Sequence, residues 1–144
     1  MNNLAQRTIS SIIYVIVFVG CILYGPGSFC ILFAIITALA LNEFNELIST
    51  HKLAEINNTI STVAGVFLFL ASFCLIAGTT SPAIFLPYIL SILFILISEL
   101  YLKRSNPISN WAFTFGGQLY VALPFALLNL IAFRGDTGYN ALLP

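Results

Sequence analysis

Three long stretches of this chain carry no charged side chain: Thr8 to Asn42, Ile56 to Ser98, and Ser105 to Phe133. A helix needs about 20 residues to cross a hydrocarbon core of about 30 Å. The first stretch holds Gly25-Pro26-Gly27 near its middle and the second holds Gly78-Thr79-Thr80-Ser81-Pro82. Such clusters make turns, so each of these stretches reads as a helical hairpin and the third as a single span. Five helices are expected, over about 9–24, 29–48, 60–77, 83–102 and 111–133. The apolar runs are continuous rather than alternating and exceed the roughly 10 residues of a barrel strand. The fold class is therefore all-α, a polytopic helical membrane protein.

Composition agrees with this. Hydrophobic residues make up 60% and charged residues 7%, and five Lys+Arg balance five Asp+Glu. Ten charges cannot solvate a globule of this size. That excludes a soluble enzyme domain, a nucleic-acid binder with a basic face and a disordered chain. Arg7, Lys52, Lys103 and Arg104 all fall on one side of the five spans, and Arg134 alone on the other. The positive-inside rule then puts the N-terminus in the cytoplasm. Arg7 followed by the run from Ile9 imitates a secretory signal, but further spans follow and Val19 is not a cleavage-site residue, so the segment reads as an uncleaved anchor. Cys21, Cys30 and Cys74 lie singly in apolar runs and read as filler. His51 lies in a polar stretch and reads as solvated. The final residues, Tyr139-Asn140-Ala141-Leu142-Leu143-Pro144, read as the start of a sixth apolar helix, and the sequence as a fragment of a longer membrane protein.

Few residues offer chemistry. Glu43 and Glu46 stand i, i+3 on the end of the second helix. They suggest either an acid pair at the membrane interface or a solvated helix end, with Glu43 the deeper. Glu99 and Lys103 have i, i+4 spacing, which suits an ion pair or charges snorkelling to the surface. Lys103-Arg104 also reads as a cytoplasmic anchor able to touch anionic lipid. Gly116-Gly117 and Pro124 suit close packing and a kink in the fifth helix, where Gln118 and Tyr120 add polar groups at membrane depth. Ala34 and Ala38 form a small-xxx-small pair. Trp111, Tyr24, Tyr101 and Tyr139 suit an interfacial aromatic belt. The sequence holds no phosphate loop, no HExxH, no GxSxG and one Asp, Asp136. A nucleoside triphosphate needs metal-holding carboxylates together with cations or backbone amides, so this chain alone is not expected to transfer a phosphoryl or nucleotidyl group. It is expected to bind no metal.

The order of a few motifs resembles a known family. Arg7 precedes an apolar helix. A Gly/Pro turn and a second helix ending in Glu43-Phe44-Asn45-Glu46-Leu47 follow, and much later come Tyr120-Val121-Ala122-Leu123-Pro124 and Arg134. This is similar to the N-terminal half of bacterial phosphatidate cytidylyltransferase, over nearly the whole chain. The resemblance implies a polytopic inner-membrane enzyme that converts CTP and phosphatidate to CDP-diacylglycerol and pyrophosphate with Mg²⁺. The family's signature, a C-terminal stretch with Lys-Asp and a late Gly-Gly-x-x-Asp-Arg-x-Asp, is absent, so no catalytic residue carries over. For residues 1–144 the resemblance implies an N-terminal membrane domain that supports the active half, packs a homodimer, or lines a path for lipid. Glu43, Tyr120 and Pro124 are the expected pocket or packing residues. The rival reading is a non-enzymatic membrane scaffold or part of a transporter.

Overall fold

The computed structural model describes residues 3–102, 104, 106–133 and 139. Among them run α1 (Asn3–Tyr24), α2 (Pro26–Thr50), α3 (Asn58–Ile76), a 3₁₀ turn (Pro82–Phe85) leading into α4 (Leu86–Tyr101), and α5 (Pro107–Gly117). A π-helical turn (Gln118–Ala122) joins α5 to α6 (Leu123–Ala132). The last three form one continuous rod, Pro107–Ala132, so five helices among the described residues are long and apolar enough to cross a membrane.

Two helices begin earlier than charge and turn residues suggest, for one shared reason. Proline is tolerated in the first helical turn, where its missing N–H would be unpaired anyway. Pro26 and Pro107 therefore open α2 and α5 instead of extending the loops before them. Gly25, at φ 153°, is the only residue between α1 and α2. Two helices close with the paired hydrogen bonds of a Schellman cap. After α3, Gly78 N–H donates to Leu75 O and Thr79 N–H to Cys74 O, with Gly78 at φ 71°. After α2, Lys52 N–H donates to Ser49 O and Leu53 N–H to Ile48 O, and here the left-handed residue is Lys52, at φ 55°.

α3 is the central helix, packing on α2, α4 and α6. Its Gly65 sits where a Cβ would come within 2.1 Å of Leu41 Cδ1 and 3.2 Å of Ala122 Cβ. Absence of a side chain there lets three helices meet. Towards the far end, Phe29, Phe33, Phe69 and Ala132 form the core, with Phe18, Phe125 and Phe133 around it. Tyr139 joins this cluster, edge-on to Phe29 and Phe133, and its hydroxyl donates to Ile22 O. It therefore packs against protein rather than standing free in an aromatic belt. Burial raises its phenolic pKa. α1 packs mainly on α2 and meets Tyr139 through Ile22, and no residue of its apolar window is fully buried among the described residues.

The π turn has an identifiable cause. Pro124 has no N–H to give Tyr120 O, and its ring crowds that carbonyl in a regular helix. The chain widens by one residue just before it, so that Leu123 N–H reaches Gln118 O. Such bulges absorb a proline without breaking the rod.

Candidate functional site

The polar residues that the fold brings together lie where the loop after α2 meets the α4–α5 connection, on the side of the N-terminus. Glu99 is at the centre. It follows Ile95 on the buried face of α4 and is 3% exposed. Its Oε1 accepts from Arg104 at 2.7 Å and its Oε2 accepts from Asn110 Nδ2 at 2.8 Å. Asn110, 2% exposed on α5, in turn accepts from the Glu55 backbone N–H at 2.7 Å. The Arg104 guanidinium also donates to the Glu55 carbonyl, and its Nε lies 3.7 Å from Glu55 Oε2. Ser109 Oγ donates to Leu53 O at 2.9 Å. The loop is thus strapped to α5 through its backbone, and a buried carboxylate neutralises the cation that holds it.

Beside this strap lies a half-open cavity of about 510 Å³ lined by Ser49, Lys52, Leu53, Ala54, Glu55, Asn106 and Asn110. Lys52 sits at the α2 cap, and Asn106 is the residue before α5.

A second polar group lies deeper, between α2 and α3. Asn45 is fully buried and donates to Asn58 Oδ1 at 3.1 Å; Asn58 donates to Asn42 Oδ1 at 2.6 Å and accepts from Thr62 at 3.1 Å. Further along the rod, Gln118 donates to Ser61 O at 2.8 Å and Asn129 to Phe69 O at 3.3 Å. These two amides tie the rod to backbone carbonyls of α3. The side-chain oxygens of Asn45, Gln118 and Asn129 are buried without a donor among the described residues. Interhelical amide bonds of this kind hold membrane helices together where apolar contact alone gives little selectivity.

The structure relocates most of the residues singled out from sequence. Glu43 and Glu46 are exposed, because the buried stripe of α2 runs Phe29, Phe33, Thr37, Leu41, Asn45, Ile48. Asn45 between them takes the inward position instead. Tyr120, 79% exposed, and Pro124 point away from the helices, so neither packs within this bundle. The rod turns inward through Asn110, Thr114, Gly117, Gln118, Ala122, Ala126 and Asn129, and both residues lie off that face. Of the two glycines, Gly117 faces the Phe44 ring, where a Cβ would sit 3.1 Å away, while Gly116 meets nothing. Glu99 is neither solvated nor at the surface, and it is paired with Arg104; Lys103 lies outside the described residues. Arg104 is bound to protein carboxylates rather than free for lipid. Asn110 and the inward role of Glu99 were missed, although Ile95 and Glu99 stand i, i+4 on one face.

The described residues offer no divalent-metal site. No three His, Cys, Asp or Glu side chains among them converge. Glu99 is already saturated by Arg104 and Asn110, and Glu43, Glu46 and Glu55 are exposed. These residues do not fit Mg²⁺.

Fold and polar groups together define a polytopic helical membrane protein whose helices are cross-braced by buried amides and one buried ion pair. Residues 5–144 match the model of the Cytidylyltransferase family, and the chain belongs to that family. No curated protein and no solved structure matches it.

Proposed function

We propose that this chain is the membrane-embedded N-terminal domain of an enzyme that transfers CMP from CTP to phosphatidate, forming CDP-diacylglycerol and pyrophosphate in phospholipid synthesis. The observation that carries the reading is family membership over residues 5–144 combined with a five-span apolar fold. A cytidylyltransferase built into a bilayer is suited to an acceptor that itself resides in the bilayer. The domain supplies scaffold and membrane anchorage. The groups that hold Mg²⁺ and the triphosphate come from elsewhere in the full-length protein, because the four described carboxylates do not converge and the nearest cation, Arg104, is neutralised. The N-terminal side, with Arg7, Lys52, Lys103 and Arg104, faces the cytoplasm of a bacterial cell, where CTP is available. Phosphatidate and CTP are the partners of the complete enzyme, with the bilayer around it; a homodimer is its expected assembly.

The test is a CMP-transfer assay in phosphatidate vesicles with radiolabelled CTP and Mg²⁺. Residues 1–144 are expected to form no labelled lipid, while the uninterrupted reading frame of the same gene does. Labelled lipid from residues 1–144 alone would show that the catalytic groups are in this chain. Failure of the uninterrupted frame with phosphatidate, but transfer to another acceptor, would refute the substrate.

A further inference from the structure

The cavity beside the strap has a charge pattern that selects its occupant. Arg104 lies nearby, but Glu99 cancels its charge at 2.7 Å. Among the described residues, the other charged side chains lining the cavity are one cation, Lys52, and one anion, Glu55, whose side chain is 66% exposed and only loosely placed against Arg104 at 3.7 Å. Ser49 and Asn106 add neutral donors and acceptors to the lining. The first turn of α5 begins at Pro107 beside Asn106, which adds the positive end of a helix on the Lys52–Asn106 side. A lining that carries one cation and one anion, with no net charge among the described residues, complements a zwitterion. A purely anionic group would gain Lys52 and be repelled by Glu55.

The surroundings indicate where such a zwitterion comes from. The cavity opens where α2 ends and α5 begins, at the level of the headgroups if the apolar spans lie in the hydrocarbon. Leu53, on its wall, is 50% exposed, and Ile108, in the first turn of α5, is 78% exposed. Two bare aliphatic side chains beside a polar cavity suit the glycerol and first methylenes of a lipid. The volume, about 510 Å³, falls within the range of small-molecule sites.

We propose that this cavity binds the phosphoethanolamine headgroup of a bilayer lipid, with the phosphate at Lys52 and Asn106 and the ammonium at the Glu55 carboxylate. A primary ammonium has three N–H donors for that carboxylate, whereas a quaternary ammonium has none, so the site distinguishes ethanolamine from choline. The site does not depend on the cytidylyltransferase reaction and would persist if the phosphatidate reading failed.

The experiment is native mass spectrometry of the detergent-purified chain with equimolar phosphatidylethanolamine, phosphatidylcholine and phosphatidylglycerol of matched acyl chains. Phosphatidylethanolamine is expected to be retained at least about tenfold over each of the others, the size expected when one charge-assisted hydrogen bond distinguishes ligands. Lys52→Gln and Glu55→Gln should each bring retention to parity. Both leave the strap in place, because Arg104, Ser109 and Asn110 hold the loop by the backbone of Leu53 and Glu55. Equal retention of the three lipids by the unmodified chain overturns the proposal whether or not the variants fold. So does a preference for phosphatidylglycerol, or a preference for ethanolamine that survives both substitutions. Release of bound lipid by millimolar inorganic phosphate also overturns it, since the cavity would then be a simple anion site.

Discussion

Glu99→Gln is the sharpest perturbation of this structure, because it keeps the shape of a buried side chain and removes its charge. The carboxylate accepts from two donors, Arg104 at 2.7 Å and Asn110 at 2.8 Å, and is 3% exposed. A glutamine has one oxygen and one NH₂ group, so one of the two donors must face another donor. A hydrogen bond to a charged group contributes about 1.5–3 kcal/mol. Removing one partner of a fully buried pair costs about 3–5 kcal/mol. The Arg104 side chain is 23% exposed and can turn to water, which places the expected loss below that range, at about 2 kcal/mol. Reversible unfolding in mixed micelles measures this loss, and a double-mutant cycle with Arg104→Gln isolates the pair, with a coupling of about 1–2 kcal/mol. Glu55→Gln serves as the control. Its side chain is 66% exposed at 3.7 Å, so its loss should stay below about 0.5 kcal/mol. A Glu99→Gln protein within about 0.5 kcal/mol of the parent, or a coupling near zero, would refute the argument that the buried carboxylate holds the α4–α5 connection to the rest of the bundle.

Three further outcomes follow from the packing. Gly65→Ala should lose about 1–2 kcal/mol despite the better helix propensity of alanine, because its Cβ would meet Leu41 Cδ1 at 2.1 Å and Leu41 is itself fully buried; a gain in the same unfolding assay would show that Leu41 has room to move. Lys52→Gly should raise stability by about 1 kcal/mol by relieving a left-handed backbone at φ 55°, and a loss would mean that the lysine side chain makes compensating contacts. Gln118→Met should cost only about 0.6 kcal/mol, the average for an interhelical hydrogen bond in a membrane, since it removes the bond to Ser61 O, a longer one to Ser61 Oγ at 3.4 Å, and an amide oxygen that has no donor among the described residues; a loss above about 2 kcal/mol would indicate a larger network than the described residues show.

How far the sequence reveals these features depends on their range along the chain. The spans are legible because lipid imposes one simple demand, about 20 residues without charge, and the five expected helices are those of the structure. Their starts are less legible. Ser109 and Asn110 look like loop residues, yet Pro107 opens α5 ahead of them, and reading proline as a first-turn residue would have found the start. The inward faces follow from helical phase. On α2 the four-residue rhythm from Phe29 to Leu41 leads to Asn45, not to Glu43. On the rod the rhythm Asn110, Thr114, Gln118 and Ala122 passes by Tyr120 and Pro124. Rarity drew notice to acidic and aromatic residues, whereas burial follows helical phase.

The partners of Glu99 lay beyond such reading for a different reason. Local spacing offers Lys103, four residues on, and intrahelical pairs of that kind contribute only a few tenths of a kcal/mol. A buried carboxylate needs more than this, and the fold supplies it from residues that no helical repeat connects. Arg104 comes from the turn that ends α4, and Asn110 from the next helix. The same two side chains hold a loop 49 and 55 residues away in sequence by its Glu55 backbone. Backbone groups carry no sequence signature, so a strap made to them is visible only once α5 is packed against α2 and α4. The chain can then vary Glu55 itself without losing the strap, and the side chain that faces the cavity is separated from the one that builds it.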